Sequence, residues 1–208
     1  MSGRAARAPG AKEGARARAA RGPKARAFDA PGARDLALRA PDARDEVAFV
    51  AAARRSGALH RPFVHAPSTP DAFRAWLLRA REPGRACHVL VDRRTRALVG
   101  VVNLNEIAHG ALQSACLGYY AFAPFEGRGL LRAGVALAVA RAFGALGLHR
   151  VEANIQPANA RSIALVRALG FRCEGLSPRY LKVGGRWRDH ERWALLREEW
   201  RAAPPRRA

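Results

Sequence analysis

The feature that most constrains the fold is a pair of glycines, Gly127 and Gly129, between a strand-like run at 115–122 and a long apolar helix that begins near Leu130. Glycine lets the backbone turn tightly and approach a ligand, and the free N–H groups of a helix's first turn attract anions. The pattern therefore predicts a phosphate-binding turn. Alone it is weak, because it matches neither the P-loop, which requires Gly-Lys-Ser/Thr, nor the dinucleotide fingerprint.

The order of the predicted elements indicates an α/β (α+β) domain whose first half is antiparallel. Alternating apolar residues predict strands, and apolar residues at helical spacing predict helices. The predicted strands are 35–39, 87–92, 98–107, 115–122, 149–155, 171–180 and 191–196. The predicted helices start at Asp42 and Pro70 and cover 130–146 and 159–169. A charged turn at 93–96 predicts a hairpin of the second and third strands.

The first two helices have recognisable starts. Asp42 opens the first, and the run 68–71 supplies a cap and an early proline for the second. The residues expected to be buried are Val47, Val50 and Ala51 in the first helix and Phe73, Trp76 and Leu77 in the second.

Both ends of the chain differ in composition from its centre. Residues 1–27 contain no Leu, Ile, Val or aromatic residue. Such a segment cannot bury enough apolar surface to offset the cost of ordering, so we predict a disordered basic tail. Residues 28–201 are predicted to form one domain, and 202–208, which include two consecutive prolines, a second short tail.

The chain is strongly basic, with a formal net charge of +20. Such a charge favours a polyanionic partner such as nucleic acid. However, only three of the 37 basic residues are lysines, and an excess of arginine, alanine and glycine is also what a GC-rich coding sequence produces. Charge therefore does not establish nucleic-acid binding, and we expect such contact only through the basic tail.

Cysteine and histidine positions give no sign of a metal site. Cys87, Cys116 and Cys173 are far apart, and the six histidines are scattered. No run reaches the roughly 18 apolar residues that span a bilayer, because Arg132 and Arg141 interrupt the best candidate. We expect no metal, a reducing cytoplasmic compartment, no membrane partner, and a monomer or homodimer.

Four segments are far more specific together, in this order, than any one of them alone. They are 102–107 (VNLNEI), 117–120 (LGYY), 159–162 (NARS) and 186–190 (RWRDH). Together they resemble the RimJ/RimL-type ribosomal-protein N-terminal acetyltransferases of the GNAT superfamily, over about 34–200. Two departures fall in the glycine turn: Glu126 replaces the usual Gln or Arg, and Leu131 replaces Gly or Ala. We expect Glu126 to turn outward.

The resemblance implies a GNAT fold, a mixed and mostly antiparallel sheet flanked by helices, with a central pair of parallel strands that splay apart. Acetyl-CoA, the implied cosubstrate, enters the wedge between those strands. In that fold the glycine turn holds the pyrophosphate through backbone N–H groups, the strand edge pairs with the pantetheine amides, and two asparagines contact the pantetheine arm. The implied acetyl-CoA residues are Tyr119, Tyr120, Ala121, Phe122, Gly127, Arg128, Gly129, Leu130, Leu131, Asn154 and Asn159.

Two of these residues have alternative roles. The Arg128 side chain either adds charge-assisted contacts to the phosphates or is only solvated. Asn159 is expected to cap its helix and also to contact the cofactor.

Three residues are candidates for the chemistry. Ser162 matches the RimL-type serine that protonates the CoA thiolate, although a serine in a first helical turn also has structural uses. Glu106 is the first candidate for binding and deprotonating the amine, and Glu152, on the same strand face as Asn154, is the second. A surface role is the alternative for both.

A further glutamate of RimL-type enzymes falls on Leu181, so its role does not carry over. Tyr180 and the predicted loop 186–190 are expected to shape the peptide cleft.

The sequence thus predicts an acetyl-CoA-dependent N-acetyltransferase that acts on a protein N-terminal amine of the ribosomal alanine or serine type, by direct transfer in a ternary complex. Two alternatives stay open at this point. One is acetylation of a small-molecule amine, because the same wedge serves many acceptors. The other is a non-catalytic acyl-CoA-binding protein associated with RNA or the ribosome.

Overall fold

Residues 33–202 are described by a computed structural model of the chain. The predicted basic tail at 1–27 lies outside these residues, as do residues 203–208 of the predicted C-terminal tail. Ala202 ends a helix, one residue beyond the predicted end of the domain.

One sheet of seven strands organises residues 33–202. The strands are β1 (Leu36–Arg39), β2 (Ala86–Asp92), β3 (Leu98–Ala108), β4 (Ser114–Ala121), β5 (Arg150–Ile155), β6 (Arg172–Val183) and β7 (Arg186–Leu196). Their order across the sheet is β1-β2-β3-β4-β5-β7-β6. All neighbours are antiparallel except β4 and β5, which are parallel. The predicted mixed, mostly antiparallel sheet is confirmed.

Helices cover both faces of the sheet. They are α1 (Glu46–Arg55), α2 (Gly57–His60), α3 (Pro70–Arg79), α4 (Leu130–Phe143), α5 (Ala160–Leu169) and α6 (Arg197–Ala202), with 3-10 turns at Ala33–Asp35 and Ala43–Asp45. Side chains alternate between the two faces of a strand. Val102 and Leu104 pack with α4 and α5 on one face, and Val89 and Val101 pack with α1 and α3 on the other. We call these the α4 face and the α1 face.

The core on the α1 face contains a cluster of aromatic rings. The ring centroids of Phe49 and Phe73 are 5.0 Å apart, and Phe122 meets Phe49 edge-on at 5.2 Å. Phe73 and Leu77 are buried as predicted, and Trp76 packs against the same cluster.

The predicted start of the second helix is present, and Asp42 caps a 3-10 turn that precedes the first helix. The Thr69 hydroxyl accepts a hydrogen bond from the N–H of Ala72 and caps α3. Asp42 accepts from the N–H of Arg44, while the Asp45 carboxylate accepts from the N–H of Asp42.

The buried face predicted for the first helix is wrong in part. Val47 is 82% exposed and Ala51 is also exposed. The residues that α1 buries are Phe49, Val50, Ala52 and Ala53. At 100° per residue, Val47 and Ala51 lie on the side of α1 opposite Phe49 and Ala53, so they point away from the core.

The C-terminal hairpin is longer than predicted. β6 and β7 pair as far as Val183 and Arg186, so the predicted loop 186–190 is strand. Only Gly184 and Gly185, both with positive φ, form the turn. At its other end β7 leads directly into α6, which the sequence analysis missed, as it missed α2.

Candidate active site

The two parallel strands run side by side only at their beginnings. Their last pair joins Cys116 to Glu152, and no further β4–β5 pair follows within the described chain. Beyond this point β4 stays paired with β3 as far as Ala121, and β5 stays paired with β7 as far as Ile155. The strands therefore part and leave the wedge that the resemblance implied.

The edge of β4 exposes only alternate backbone groups to this wedge. The N–H of Phe122 donates to the carbonyl of Val99, and the Phe122 carbonyl accepts from the N–H of Phe125. Because backbone groups alternate in direction along an antiparallel strand, Tyr120 also faces β3, while Tyr119 and Ala121 face the wedge. The prediction of backbone ligands throughout 119–122 is therefore wrong for Phe122 and Tyr120.

A buried histidine holds one of the wedge-facing groups. His60 Nε2 lies 2.7 Å from the carbonyl oxygen of Ala121. A carbonyl only accepts, so Nε2 carries the proton in this bond. Burial lowers the pKa of His60, against the opposing effect of this hydrogen bond. The imidazole is therefore neutral at physiological pH. Because His60 occupies the Ala121 carbonyl, the wedge-facing backbone groups that can still bind a ligand at Tyr119 and Ala121 are both groups of Tyr119 and the N–H of Ala121.

The glycine turn joins β4 to α4. Gly127 and Gly129 have φ values of 73° and 74°, in the left-handed region that favours glycine. Gly129 is the N-cap of α4 and offers no capping side chain. A Cβ at Gly127 would meet nothing within 4 Å. The N–H groups of Leu130 and Leu131 begin the helix without a capping side chain, and such a helix start can bind a phosphate.

Side chains around the turn agree with this assignment. Glu126 is exposed, as expected for a carboxylate kept away from an anion site. Arg128 is also exposed, with its guanidinium carbon 5.8 Å from the ring centroid of Phe125. That contact restrains Arg128 beside the turn, where it can reach an anion.

A second helix start lies across the wedge. The Asn159 side-chain oxygen accepts from the N–H of Ser162 over 3.2 Å and caps α5, as predicted. The phenol of Tyr119 donates to the carbonyl of Ser162 over 3.3 Å. The β4 edge is thus tied to the first turn of α5, and the half-buried Ser162 is held there by both contacts.

The Tyr119 side chain is a part of the site that the sequence analysis missed, since it assigned Tyr119 through its backbone. Burial raises the pKa of Tyr119 to about 12, and the bond to Ser162 opposes this shift. The phenol therefore keeps its proton at neutral pH. Leu117 and Tyr119 are two residues apart on β4, so both side chains lie on the α4 face. This alternation could have predicted that the Tyr119 side chain points toward α5.

At the mouth of the wedge, on the α1 face, Cys116 and Asn154 meet. The side-chain N–H of Asn154 donates to Cys116 Sγ over 3.3 Å. Burial and the nearby carboxylate of Glu106 raise the pKa of the Cys116 thiol to about 11, Asn154 opposes the shift, and Glu152 adds to it. Both predicted base candidates therefore lie within electrostatic reach of one half-buried thiol.

The two glutamates differ in their other contacts. Glu152 accepts from Arg150 over 2.6 Å, and Arg150 also bonds Glu174. Glu106 is exposed, with φ 51°, where the register of β3 and β4 shifts after Asn105. The carboxylate of Glu152 is thus already engaged, whereas that of Glu106 projects from a strand irregularity near the wedge.

The α1 face of the wedge is flanked by two segments. The loop between α2 and α3 reaches the β6–β7 turn, since a Cβ on Gly184 would lie 2.9 Å from His65 Nε2. Tyr180 packs edge-on against His190 with centroids 6.2 Å apart. The predicted contribution of Tyr180 and 186–190 to a cleft stays a prediction.

Residues 33–202 contain no cluster of three His, Cys, Asp or Glu side chains that could hold a metal ion. Within the same range no helix is long and apolar enough to cross a membrane.

Comparison with known proteins identifies the family. The acetyltransferase (GNAT) domain matches residues 35–172, about two thirds of the chain. The chain therefore belongs to the GNAT acetyltransferase family, which confirms the predicted family and fold and supports an acetyltransferase enzyme.

Two individual proteins illustrate what this chain is similar to within the family. The [ribosomal protein uS5]-alanine N-acetyltransferase of Escherichia coli is 33% identical over 111 residues, which are 53% of this chain and 57% of that protein. The chain thus spans little more than half the length of this curated relative. The structure of Mycobacterium smegmatis RimJ in complex with CoA-disulfide superposes with a TM-score of 0.73 and 30% identity, covering 79% of this chain and 83% of that one.

A third similarity concerns the fold alone. The spermidine N-acetyltransferase of Vibrio cholerae, in complex with CoA and spermine, superposes with a TM-score of 0.69 at 21% identity, covering 80% of this chain and 98% of that one.

Proposed function

We propose that this protein transfers the acetyl group of acetyl-CoA to the N-terminal amine of a protein, in a ternary complex and without an acyl-enzyme. The observation that carries the proposal is the parting of β4 and β5 immediately after Cys116 and Glu152, between the uncapped start of α4 and the Asn159-capped start of α5. One side of this wedge can anchor phosphates, and the α1 face of its mouth can admit an amine.

The acetyl-CoA site is assigned residue by residue. The amides of 128–131 bind the pyrophosphate, with Arg128 adding charge. The exposed backbone of Tyr119 and the Ala121 N–H pair with the pantetheine arm like an added strand. Asn154 fits the same arm, since its side-chain oxygen is buried with no partner within residues 33–202. The amide of Asn159 contributes beside its capping role.

Glu106 is the proposed base. An N-terminal amine has a pKa of about 7.7–8.0, so much of it is already neutral near physiological pH. Glu106 then needs only to accept the proton released as the nitrogen attacks the thioester carbonyl, directly or through water. We rank Glu106 above Glu152 because Arg150 already occupies the Glu152 carboxylate.

Ser162 is the proposed acid. When the carbon–sulfur bond breaks, the departing CoA thiolate takes a proton from the Ser162 hydroxyl. Ser162 lies in the first turn of α5, where the helix dipole also stabilises a developing negative charge. Tyr119 positions Ser162 through the hydrogen bond to its carbonyl.

Cys116 argues for direct transfer. It is the cysteine closest to the reacting groups, as its contact with Asn154 shows, but the raised pKa keeps its thiol protonated. Because the thiolate is the nucleophilic form, Cys116 is a poor acyl carrier.

A protein acceptor is favoured over a polyamine by charge. Residues 33–202 carry 27 basic and 15 acidic side chains, a formal net charge of +12. A polycation such as spermidine is repelled by such a surface, whereas a peptide with one amine is much less so. The 30% identity to RimJ also favours a protein acceptor. We propose that the activity is cytoplasmic. Acetylation of a small amine is the second candidate, supported by the similarity to the spermidine enzyme.

The test is the release of CoA thiol from acetyl-CoA by the full chain. We expect rapid release with peptides that start with alanine or serine, and slow release with spermidine or no acceptor. Faster turnover with spermidine would mean that the acceptor is a polyamine and not a protein. Tight acetyl-CoA binding without turnover of any acceptor would favour the non-catalytic alternative.

A further inference from the structure

The last peptide groups of β4 determine which backbone atoms face the wedge. The Tyr120 carbonyl points toward β3, since a Cβ on Gly100 of that strand would lie 2.5 Å from its oxygen. A trans peptide group holds its C=O and N–H on opposite sides, so the Ala121 N–H points into the wedge. The next peptide group is reversed, because the Phe122 N–H donates to Val99 on β3 and the Ala121 carbonyl faces the wedge.

Two buried side chains from the α1–α2 pair hold this end of β4. His60 donates to the Ala121 carbonyl over 2.7 Å. Ser56 lies between the two helices and is 0% exposed. Its hydroxyl accepts from the Ala123 N–H over 2.9 Å and donates to the carbonyl of Ala52 over 2.7 Å. The exit from β4 is therefore fixed from the α1 face at two positions, two residues apart.

The backbone donors that follow Ala121 do not extend the binding edge. The Phe122 N–H faces β3, and the Ala123 N–H is bonded to a serine hydroxyl. Pro124 has no N–H, and the Phe125 N–H donates to the Phe122 carbonyl. The Ala121 N–H is therefore the last donor that β4 offers to a ligand in the wedge.

A chain that pairs with a strand edge can occupy more than one register. Wedge-facing carbonyls recur every two residues on β4, at Tyr119 and Ala121. If the Ala121 carbonyl were free, an amide N–H of the pantetheine arm could pair with it instead of with the Tyr119 carbonyl. Such a slip moves the bound arm by about 7 Å. A displacement of about 1 Å already costs a reaction much of its rate.

From this arrangement we infer that His60 is a positioning residue for acetyl transfer. By occupying the Ala121 carbonyl, His60 ends the binding edge at the Ala121 N–H and restricts the pantetheine arm to one register along β4. The inference rests on the proposed function, in which the arm pairs with this edge. Because the amides of 128–131 anchor the phosphates separately, His60 governs turnover more than affinity.

The test separates turnover from affinity in the full chain. His60→Leu removes the donor and frees the Ala121 carbonyl. The acceptor is the one that the wild type turns over, an alanine-starting peptide or spermidine. We expect kcat to fall by about tenfold or more, while the acetyl-CoA dissociation constant and binding stoichiometry, measured by calorimetry, change less than about twofold. The reason is that both registers bind the cosubstrate but only one places the thioester correctly.

His60→Gln is the conservative variant. The Gln amide nitrogen is as many bonds from the backbone as His60 Nε2, so it can donate to the same carbonyl, and most of the lost kcat should return. His60→Asn carries the same amide one bond closer to the backbone and should resemble His60→Leu. Comparison of the two amide variants decides the question if the leucine variant does not fold.

His88→Leu is the matched control. His88 is also buried, and its Nδ1 lies 3.2 Å from a strand carbonyl, that of Val102. Burial lowers the pKa of His88 as it lowers that of His60. However, β2 lies two places from β4 in the sheet and does not border the wedge. We expect His88→Leu to lower thermal stability and to leave kcat per folded molecule unchanged.

Three results would overturn the inference and leave the proposed function intact. The first is an unchanged kcat in a folded His60→Leu variant. The second is a kcat in His60→Gln as low as in His60→Asn, which would mean that the donor is not what matters. The third is a loss of acetyl-CoA affinity as large as the loss of kcat, which would assign His60 to binding strength instead of register. Failure of the wild type to bind acetyl-CoA would overturn the proposed function and this inference together.

Discussion

Asn154 and Cys116 join the two parallel strands through a 3.3 Å hydrogen bond from the amide to the thiol, at the level where β4 and β5 separate. Because the strand backbones no longer pair beyond this level, this side-chain contact takes the place of backbone pairing there. The bond orients the Asn154 amide so that its donor faces Cys116, while its oxygen is buried with no hydrogen-bond partner within residues 33–202.

The state of Cys116 can be measured by alkylation. Its thiol pKa of about 11 means that the thiolate fraction at pH 7.5 is very small and rises about tenfold per pH unit. We expect iodoacetamide to modify the exposed Cys173 first and Cys116 slowly, with a Cys116 rate that climbs between pH 8 and 10. Mass spectrometry of the cysteine peptides measures both rates.

The buried Cys87 serves as the control, because its pKa is also raised by burial but it lies away from the wedge. Acetyl-CoA should protect Cys116 more than Cys87. Rapid modification of Cys116 at neutral pH, or an acetylated Cys116 after incubation with acetyl-CoA, would contradict direct transfer.

Gly129→Asp tests the phosphate site. The substitution adds a carboxylate and a side chain at a φ of 74°, where the pyrophosphate is expected. Acetyl-CoA affinity should fall by more than tenfold, or about 1.4 kcal/mol, measured by calorimetry. Gly110→Asp is the matched control, since Gly110 has φ 69° and open space around it but lies in the β3–β4 connection. Equal affinity in the two variants would mean that the turn does not bind phosphate.

Ser162→Ala tests the acid. Turnover should fall by about 10²–10⁴ while acetyl-CoA affinity changes little, because the hydroxyl is needed only when the thiolate leaves. Tyr119→Phe removes the hydrogen bond that holds Ser162 but not the hydroxyl itself, so its loss of kcat should be smaller. If Ser162→Ala weakens acetyl-CoA binding with unchanged kcat, Ser162 is a contact or a cap residue.

The sequence was sufficient where a function depends on neighbouring residues. Gly129 as a helix start and Asn159 as a cap follow from local backbone geometry, and the structure has both. It was insufficient where distant segments meet. Tyr119 reaches Ser162 across 43 residues and His60 reaches Ala121 across 61, and no local pattern records these contacts.

Strand register is the second feature that could not be predicted from the sequence. The sequence predicted a strand edge at 119–122 but not which of its backbone groups face β3, because that depends on pairing with Val99. The proximity of Cys116, Glu106 and Asn154 depends on the same register, so the sequence did not place Cys116 in the site.

Glu106→Gln tests the base, with Glu152→Gln as its partner variant. We expect Glu106→Gln to lower kcat/KM by about 10² near pH 7, and the deficit to shrink above pH 8, where the amine is neutral without help. Glu152→Gln should have a smaller effect, because the Glu152 carboxylate pairs with Arg150. A pH-independent deficit in Glu106→Gln would indicate substrate positioning instead of proton transfer, and a larger deficit in Glu152→Gln would reverse the assignment.

The basic tail at 1–27 is predicted to contribute to docking and not to chemistry. It carries eight basic side chains and one acidic side chain, a net charge of +7. Docking on an anionic surface such as the ribosome should therefore fall steeply between about 50 and 200 mM salt, through counterion release. A chain that starts at Phe28 should keep its turnover of free peptides and lose low-salt co-sedimentation with ribosomes. Unchanged co-sedimentation would mean that the tail reflects composition alone, while loss of peptide turnover would mean that the domain starts before Phe28.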